Sequence, residues 1–335
     1  MRNLRKKSLL TGQAAMGALF TVLVLAALVG GSSAAVIADH AGRSVRFEKP
    51  FSRIISLYGA HTENLVMLDL DAEVIGISGS DRATGLLKSR PVFSYHDDPE
   101  KFIAARPDLV LIRPMIDRGY PALIKKLEKN SITVVSLQPA TVGEMFAYWE
   151  ILGVLTGRDR QARKMVADFN TAVGRFTAIT RELPYKKRVY FEAIHSRMKT
   201  FTPDSMAAYV LKTAGGINIA EDALQVRTTN IAFYGKERLI SKADEIDVYL
   251  AQTGTMNQPT IAMIKAEPGY RVIKAVKNNE IYLVDEQIVS RPTMRLLCGI
   301  AETGHILYPE LFENHAREIL SQVESLDCKQ QRGRY

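Results

Sequence analysis

The chain has 335 residues, with 44 Lys and Arg against 36 Asp and Glu, a formal charge of +8 and 47% hydrophobic residues. Four of the cations, Arg2, Arg5, Lys6 and Lys7, sit at its start; without them the charge is only about +4 and the other basic residues form no stripe, which excludes nucleic acid as a partner. The roughly 300 residues that follow suffice for two lobes of ordinary domain size, each expected to carry its own core.

Residues 1–38 read as a secretory signal. The positive start runs into an apolar core over 14–29 and then small residues from Gly30 to Ala35, with cleavage expected near Ala35 or Ala38. The alternative is an uncleaved membrane anchor, because this apolar core is long for a signal. No cysteine lies near the cut, so a lipoprotein anchor is excluded there, and the protein is expected to be exported.

An N-terminal lobe is expected over 39–157. Apolar runs predict strands over 54–57, 74–77, 109–112 and 132–137, with helical patterns over 62–70, 99–105, 120–129 and 142–155 between them. Strands that are apolar nearly throughout suit a parallel sheet covered on both faces. Such sheets carry ligands on the loops at the carboxyl ends of their strands. Those loops are Tyr58-Gly59-Ala60-His61, Ser80-Asp81-Arg82 and Arg113-Pro114-Met115.

Residues 158–184 follow as one connecting helix. Ala162, Met165, Val166, Phe169, Ala172, Val173, Phe176 and Ile179 make a single apolar stripe, and Pro184 ends it. A C-terminal lobe over 185–326 has predicted strands over 189–193, 248–251 and 281–284 and helices over 204–213, 261–265 and 292–306, before a polar tail over 327–335. The fold class is α/β: two α/β lobes with mainly parallel sheets, joined by a single long helix. Cys298, in a predicted helix, and Cys328, beside the tail, are the only cysteines, and their pairing is left open.

Chemistry-bearing residues gather at the strand ends. From the first lobe they are Tyr58, His61, Arg82, Tyr95, His96 and Arg113; from the second, His195, Arg197, Met198, Arg227, Tyr234, Arg291 and Arg295. Arginine offers a planar fork that matches carboxylates, so this set suits an anionic ligand. Arg113 directly follows the apolar run LVLI, and Arg291 and Arg295 share a helix face if a helix begins at Pro292. Histidine and tyrosine either ligate iron or hydrogen-bond a chelate. His61 reads equally as a residue of a helix start, and His96 as part of a polar turn. No H-x-x-x-H pair exists, so a metal site is left open, with His61, His96 and His195 its candidates. Trp149 is expected in the core. There is no G-x-S-x-G elbow, phosphate-cradling glycine loop or H-E-x-x-H helix, so the chain is not expected to be an enzyme. An exported α/β hydrolase or metal-dependent enzyme is the lesser alternative, and a signalling or scaffold protein on a binding fold a third.

The order of Arg53-Ile54-Ile55-Ser56-Leu57 with Thr62-Glu63, Pro99-Glu100-Lys101-Phe102 leading into Arg106-Pro107-Asp108-Leu109-Val110, the long helix, and Ala214-Gly215-Gly216-Ile217-Asn218 resembles the periplasmic substrate-binding proteins of metal-chelate ABC importers. That family receives ferric siderophores, haem and cobalamin. The resemblance implies a ligand cleft between the lobes, a periplasmic location, a monomer without intrinsic cofactor, and an ABC permease and ATPase as partners. It also implies that two carboxylates, here Glu100 and Glu237, dock on permease arginines. The sequence departs from the family pattern at Tyr58-Gly59-Ala60-His61, Asp81-Arg82-Ala83 and Ser94-Tyr95-His96-Asp97-Asp98, all on the ligand face. A ferric siderophore or related iron chelate ranks first as ligand, then haem, then cobalamin, for which cleft tryptophans are missing, then a bare divalent metal ion.

Overall fold

The computed structural model describes residues 34–226, 229–255 and 257–328; the predicted leader up to Ser33 and the tail from Lys329 lie outside them. In chain order, β1 (Ala35–Ala38) and β2 (Ser44–Phe47) precede β3 (Ile54–Ser56), α1 (Gly59–Met67), β4 (Val74–Ser78), α2 (Gly79–Thr84), β5 (Val92–Phe93), α3 (Pro99–Ala105), β6 (Leu109–Ile112), α4 (Pro114–Gly119), α5 (Pro121–Lys129) and β7 (Thr133–Ser136). Two long helices follow, α6 (Val142–Thr156) and α7 (Asp159–Arg181). The second lobe contains β8 (Arg188–Ile194), β9 (Lys199–Phe201), α8 (Met206–Thr213), β10 (Ile217–Asn218), β11 (Leu224–Gln225), β12 (Ile231–Phe233), α9 (Lys236–Ser241), β13 (Val248–Thr253), α10 (Ile261–Ala266), α11 (Lys274–Lys277), β14 (Ile281–Asp285), α12 (Glu286–Val289), α13 (Leu296–Leu307) and α14 (Pro309–Ser321).

The four apolar runs of the first lobe become β3, β4, β6 and β7, and β5 joins them as a short edge strand. The order is β5-β4-β3-β6-β7 and every pair is parallel. All four residues of β6 are buried, as a strand covered on both faces requires. The strand order reverses between β3 and β6, and a crevice opens at such a point outside the carboxyl ends. The second sheet runs β11-β12-β9-β8-β13-β14, with β10 beside the start of β8. Its β8, β10, β13 and β14 are parallel and β9, β11 and β12 pair antiparallel.

Helix α7 fulfils the predicted stripe, burying Ala162, Met165, Phe169, Ala172 and Phe176. It lies close to α6 because Gly153 has no side chain: a Cβ there would stand 2.7 Å from that of Ala162 and 3.1 Å from the Arg158 carbonyl oxygen. The expectation of a separate core in each lobe is corrected. One cluster runs from Ile54 and Leu109 through Trp149 and Phe169 to Phe191, Leu297 and Phe312, because α6, α7 and α13 present apolar faces to both sheets. Each lobe adds only an outer cluster, around Phe102 and Val110 in the first and Tyr249 and Ile264 in the second.

Other differences have local causes. The predicted helix over 120–129 begins instead at Pro121, after a separate α4. Strand β1 occupies residues assigned to the leader, so a cut after Ala38 would remove it; its hairpin is anchored by the Asp39 carboxylate, which accepts from Ser136 N at 3.0 Å and pairs with Arg43 at 2.8 Å. Cys298 and Cys328 are joined, tying the chain end to α13 across a sequence separation of 30. Closing a loop of that length restricts the unfolded chain by about 3–4 kcal/mol. Cys328→Ser is expected to lower the unfolding free energy by that order, read by urea titration, with reductant lowering the wild type alike.

Candidate functional site

The site is built from the ends of parallel strands. At the reversal point of the first sheet, Tyr58 follows β3 and caps α1, while Arg113 follows β6 and caps α4 in the extended conformation that the next residue, Pro114, imposes. The Arg113 guanidinium lies over the Tyr58 ring, 4.6 Å from its centroid. Arg113 is half-buried, its Nε is sealed without a partner, and it makes no ion pair among the described residues. A desolvated cation stacked on a phenol and facing no carboxylate is a ready subsite for an anion.

Around it lies a hydroxyl–carboxylate network. Thr62 Oγ1 is 2.7 Å from Ser56 Oγ and 3.0 Å from Asp81 Oδ2, and Asp81 Oδ2 also accepts from Ser78 N at 2.9 Å and Ser78 Oγ at 2.7 Å. Burial pushes the Asp81 carboxyl up. Arg291 reaches in from the second lobe and pairs with Glu63 at 2.8 Å, both nearly buried. It passes Gly59 so closely that a Cβ there would lie 2.6 Å from Arg291 Nη1. Next to it, the Pro292 carbonyl accepts from Asn64 Nδ2 at 3.0 Å and Trp149 Nε1 at 3.1 Å. That carbonyl is saturated by first-lobe donors and the segment from Arg291 to Met294 stays a turn. Arg291 and Arg295 therefore share no helix face: α13 begins only at Leu296. Arg295 instead lines a cavity of about 120 Å³ with Glu63, Val66, Met67 and Asp327, at the far end of α1 from the strand tips.

His61 is fully buried. Its Nε2 lies 3.1 Å from the Ile112 carbonyl oxygen and its Nδ1 2.7 Å from the Tyr148 hydroxyl. A carbonyl only accepts, so Nε2 carries the proton and Nδ1 accepts from Tyr148. The ring thus ties α1 to the end of β6 and offers no free nitrogen to a ligand. Tyr95, His96 and Tyr120 form a second group after β5 and α4, with ring centroids 4.4–5.2 Å apart and the Tyr120 hydroxyl 3.2 Å from His96 Nδ1. Tyr120 was not foreseen: as the residue before Pro121 it reads as punctuation, and only the loop's return to β5 brings it to Tyr95.

In the second lobe, His195 sits at the carboxyl end of β8. Its Nδ1 is 2.8 Å from Glu192 Oε2, which also accepts from the Tyr249 hydroxyl. Among the described residues Glu192 Oε1 is buried without a partner. The Glu192 hydrogen bond holds His195 above the ordinary histidine range. Glu192 was missed, although an acid inside the apolar run VYFEAI was a legible signal. Met198 Sδ accepts from the Tyr270 hydroxyl at 3.1 Å, and Arg197 is exposed. Tyr234 is 1% exposed and donates to the Ile219 carbonyl, which places it in the outer core rather than at an open face. Arg227 lies outside the described residues, and only the backbone of Arg82, in α2, is described. Glu100 and Glu237 are both exposed in the first turns of α3 and α9. Among the described residues no cluster of three or more His, Cys, Asp or Glu is arranged to hold a metal ion.

Two lobes with strand ends turned to a shared crevice define a binding-protein architecture, and comparison with known proteins gives the family. The family described as periplasmic binding protein matches residues 54–288, and the chain belongs to it. An uncharacterized ABC transporter substrate-binding lipoprotein of Bacillus subtilis, YvrC, is 25% identical over 289 residues, covering 83% of this chain and 86% of its own. The vitamin B12-binding protein of Vibrio vulnificus is 24% identical over 259 residues, 76% of this chain and 89% of its own. A solved structure from Staphylococcus epidermidis, described as a possible iron-binding periplasmic solute-binding protein, has a TM-score of 0.67 at 26% identity over 78% of this chain and 100% of that one. The periplasmic haem-binding protein RhuT from Roseiflexus sp. RS-1 shares the fold, with a TM-score of 0.64 at 17% identity over 78% of this chain and 99% of its own.

Two outcomes follow from the buried groups. Burial pushes His61 from 6.5 down to about 3. The unfolded chain takes up a proton near 6.5 and the folded one only near 3, so stability present above pH 6.5 is lost as pH falls through that window, by at most about 1.4 kcal/mol per pH unit. Unfolding free energy is expected to fall more steeply in the wild type than in His61→Gln; parallel pH profiles would acquit His61. Glu63→Ala leaves Arg291 buried and uncompensated and is expected to cost about 3–5 kcal/mol in a urea titration.

Proposed function

We propose that the chain is the extracytoplasmic substrate-binding component of an ABC importer and that it captures an anionic iron chelate, of ferric-siderophore type, between its lobes. The observation that carries this reading is Arg113: a half-buried guanidinium at the sheet's reversal point, stacked on Tyr58 and without an ion-pair partner among the described residues. Carboxylate or catecholate oxygens supply what it lacks. Tyr58, Arg113 and His195 are the central contacts in this reading, with Tyr95 and His96 at the rim. Arg291, held by Glu63, orients the crevice from the second lobe. A relative that binds vitamin B12 supports the broader class of metal chelates.

Haem is the second reading, favoured by the Tyr95–His96–Tyr120 ring group, whose faces suit a flat macrocycle with propionates directed to Arg113. The loaded protein then docks through Glu100 and Glu237 on arginines of the permease, and the transporter parts the lobes to release the cargo. The two carboxylates fix orientation and speed encounter more than they add affinity.

Absorbance and fluorescence titration of the mature protein with haem, cobalamin and a ferric-siderophore panel tests the class; silence from all of them would sink the chelate reading. With the chelate that binds, Arg113→Ala is expected to weaken affinity by about 1.5–3 kcal/mol, roughly 10- to 150-fold, the loss of a charged hydrogen bond. Glu100→Ala with Glu237→Ala is expected to leave that affinity intact and stop import; a loss of affinity would overturn the docking roles.

A further inference from the structure

Glu237 stands in unusual company. Leu224 and Phe233 are register partners in the antiparallel β11–β12 pair, so their side chains share one face of the sheet, and they are 67% and 50% exposed. Strand β11 is the outer strand of that sheet. Single exposed apolar residues need no explanation, but a paired patch beside a charge does. The link between patch and charge is Gly235, at φ +88°, which turns the chain from β12 into α9. A Cβ at Gly235 would lie 3.4 Å from the Phe233 ring and 3.8 Å from Glu237 Oε2, so ring and carboxylate flank the same glycine.

Three of the nearby cations are engaged elsewhere, while Lys199, the register partner of Phe233 on β9, makes no ion pair among the described residues. Lys236 pairs with Glu267. Arg238 pairs with Asp222 and lies over the Tyr234 ring at 4.7 Å, and Lys242 reaches Asp222 at 3.7 Å. Glu237 itself makes no ion pair among the described residues. By contrast Glu100, its counterpart on the first lobe, has Lys126 at 3.5 Å. An acid at a helix start is explained by the helix dipole alone. An acid whose sequence neighbours are drawn off, set against an exposed aromatic and a leucine, is complementary to a cation carried on an apolar surface.

We infer that Leu224 and Phe233 complete the second-lobe docking surface around Glu237, and that their occupant is an arginine set in an apolar extracytoplasmic segment of the permease. The inference rests on the docking role of Glu237 and adds the apolar half of the contact. Arginine fits better than lysine because its planar fork engages the carboxylate bidentately while its face stacks on Phe233. An aromatic and an arginine paired at the centre of a contact carry a large share of its energy. The surface is small, which suits a contact made and broken in each transport cycle.

The test uses the ligand-free mature protein and the importer's permease–ATPase complex in nanodiscs, with affinity measured at low and moderate salt. Leu224→Ser with Phe233→Ser, both solvent-facing, is expected to weaken docking about tenfold or more while the thermal midpoint and the salt dependence are retained. Glu237→Gln is expected to weaken docking and flatten the salt dependence. Wild-type affinity in the Leu224/Phe233 variant, with Glu237→Gln weakened, overturns the apolar half and leaves the docking role of Glu237 standing. Wild-type affinity in Glu237→Gln removes that docking role and the arginine with it. Binding of the wild type to phosphatidylcholine vesicles that the double variant loses would make the occupant a lipid surface and overturn the permease assignment.

Discussion

The arrangement of the whole molecule depends on how the segment Arg291-Pro292 meets the first lobe. One carbonyl, that of Pro292, accepts from Asn64 on α1 and Trp149 on α6, while Arg291 beside it pairs with Glu63. These bonds are buried, and beside them Glu63 Oε2 and Asn64 Oδ1 find no partner among the described residues. A buried ion pair of this kind adds little net stability over an apolar contact, yet losing one partner is expensive. It therefore acts on geometry: it penalises every placement of the second lobe in which Arg291 misses Glu63. Together with the shared core around α6, α7 and α13, it makes the two lobes one packed unit with a crevice rather than two domains on a hinge.

That constraint divides the arginines. Arg291 is consumed in holding the lobes and Arg295 turns towards a flank cavity, so neither is a free cation at the strand tips. Arg113 is. Its backbone is set by Pro114 and its guanidinium by the Tyr58 ring, and nothing of opposite sign among the described residues satisfies it. In the second lobe a buried acid, Glu192, supports a nearly buried histidine, His195, at the carboxyl end of β8. Arg113 thus has no balancing carboxylate among the described residues, whereas His195 has one in Glu192.

Much of this was legible in the sequence, and the rest was not for identifiable reasons. The strands β3, β4, β6 and β7 and the helix α7 follow from apolar runs and a period of 3.6, because burial on two faces or along one stripe leaves a pattern in a single segment. The position of Arg113 at a strand end was visible too, since it directly follows LVLI. The fate of His61 was not: whether a histidine at a helix start faces a ligand or a tyrosine depends on Tyr148, far along the chain. Arg291 failed in the same way, since its partner Glu63 lies in the other lobe. The hairpin of β1 and β2 was hidden because four-residue strands beside a leader have too little length to declare themselves. Local pattern reports burial; long-range pairing decides which polar groups are spent on the fold.

A receptor held this firmly cannot gain affinity by wrapping its ligand in a large closure, so selectivity falls to groups already in place. Preorganisation makes such groups effective, because no side-chain ordering remains to be done when the ligand arrives. The same groups carry a cost: the sealed Arg113 Nε and the buried Glu192 Oε1, neither with a partner among the described residues, are desolvated without full compensation. Under the proposed function, a chelate that supplies anionic oxygens to Arg113 would relieve part of that cost, and a neutral ligand of the same shape would not. The discrimination expected here is therefore by charge first and by ring geometry at Tyr95, His96 and Tyr120 second. The energy for parting the lobes must come from outside, since the Arg291–Glu63 pair and the Pro292 carbonyl bonds resist it.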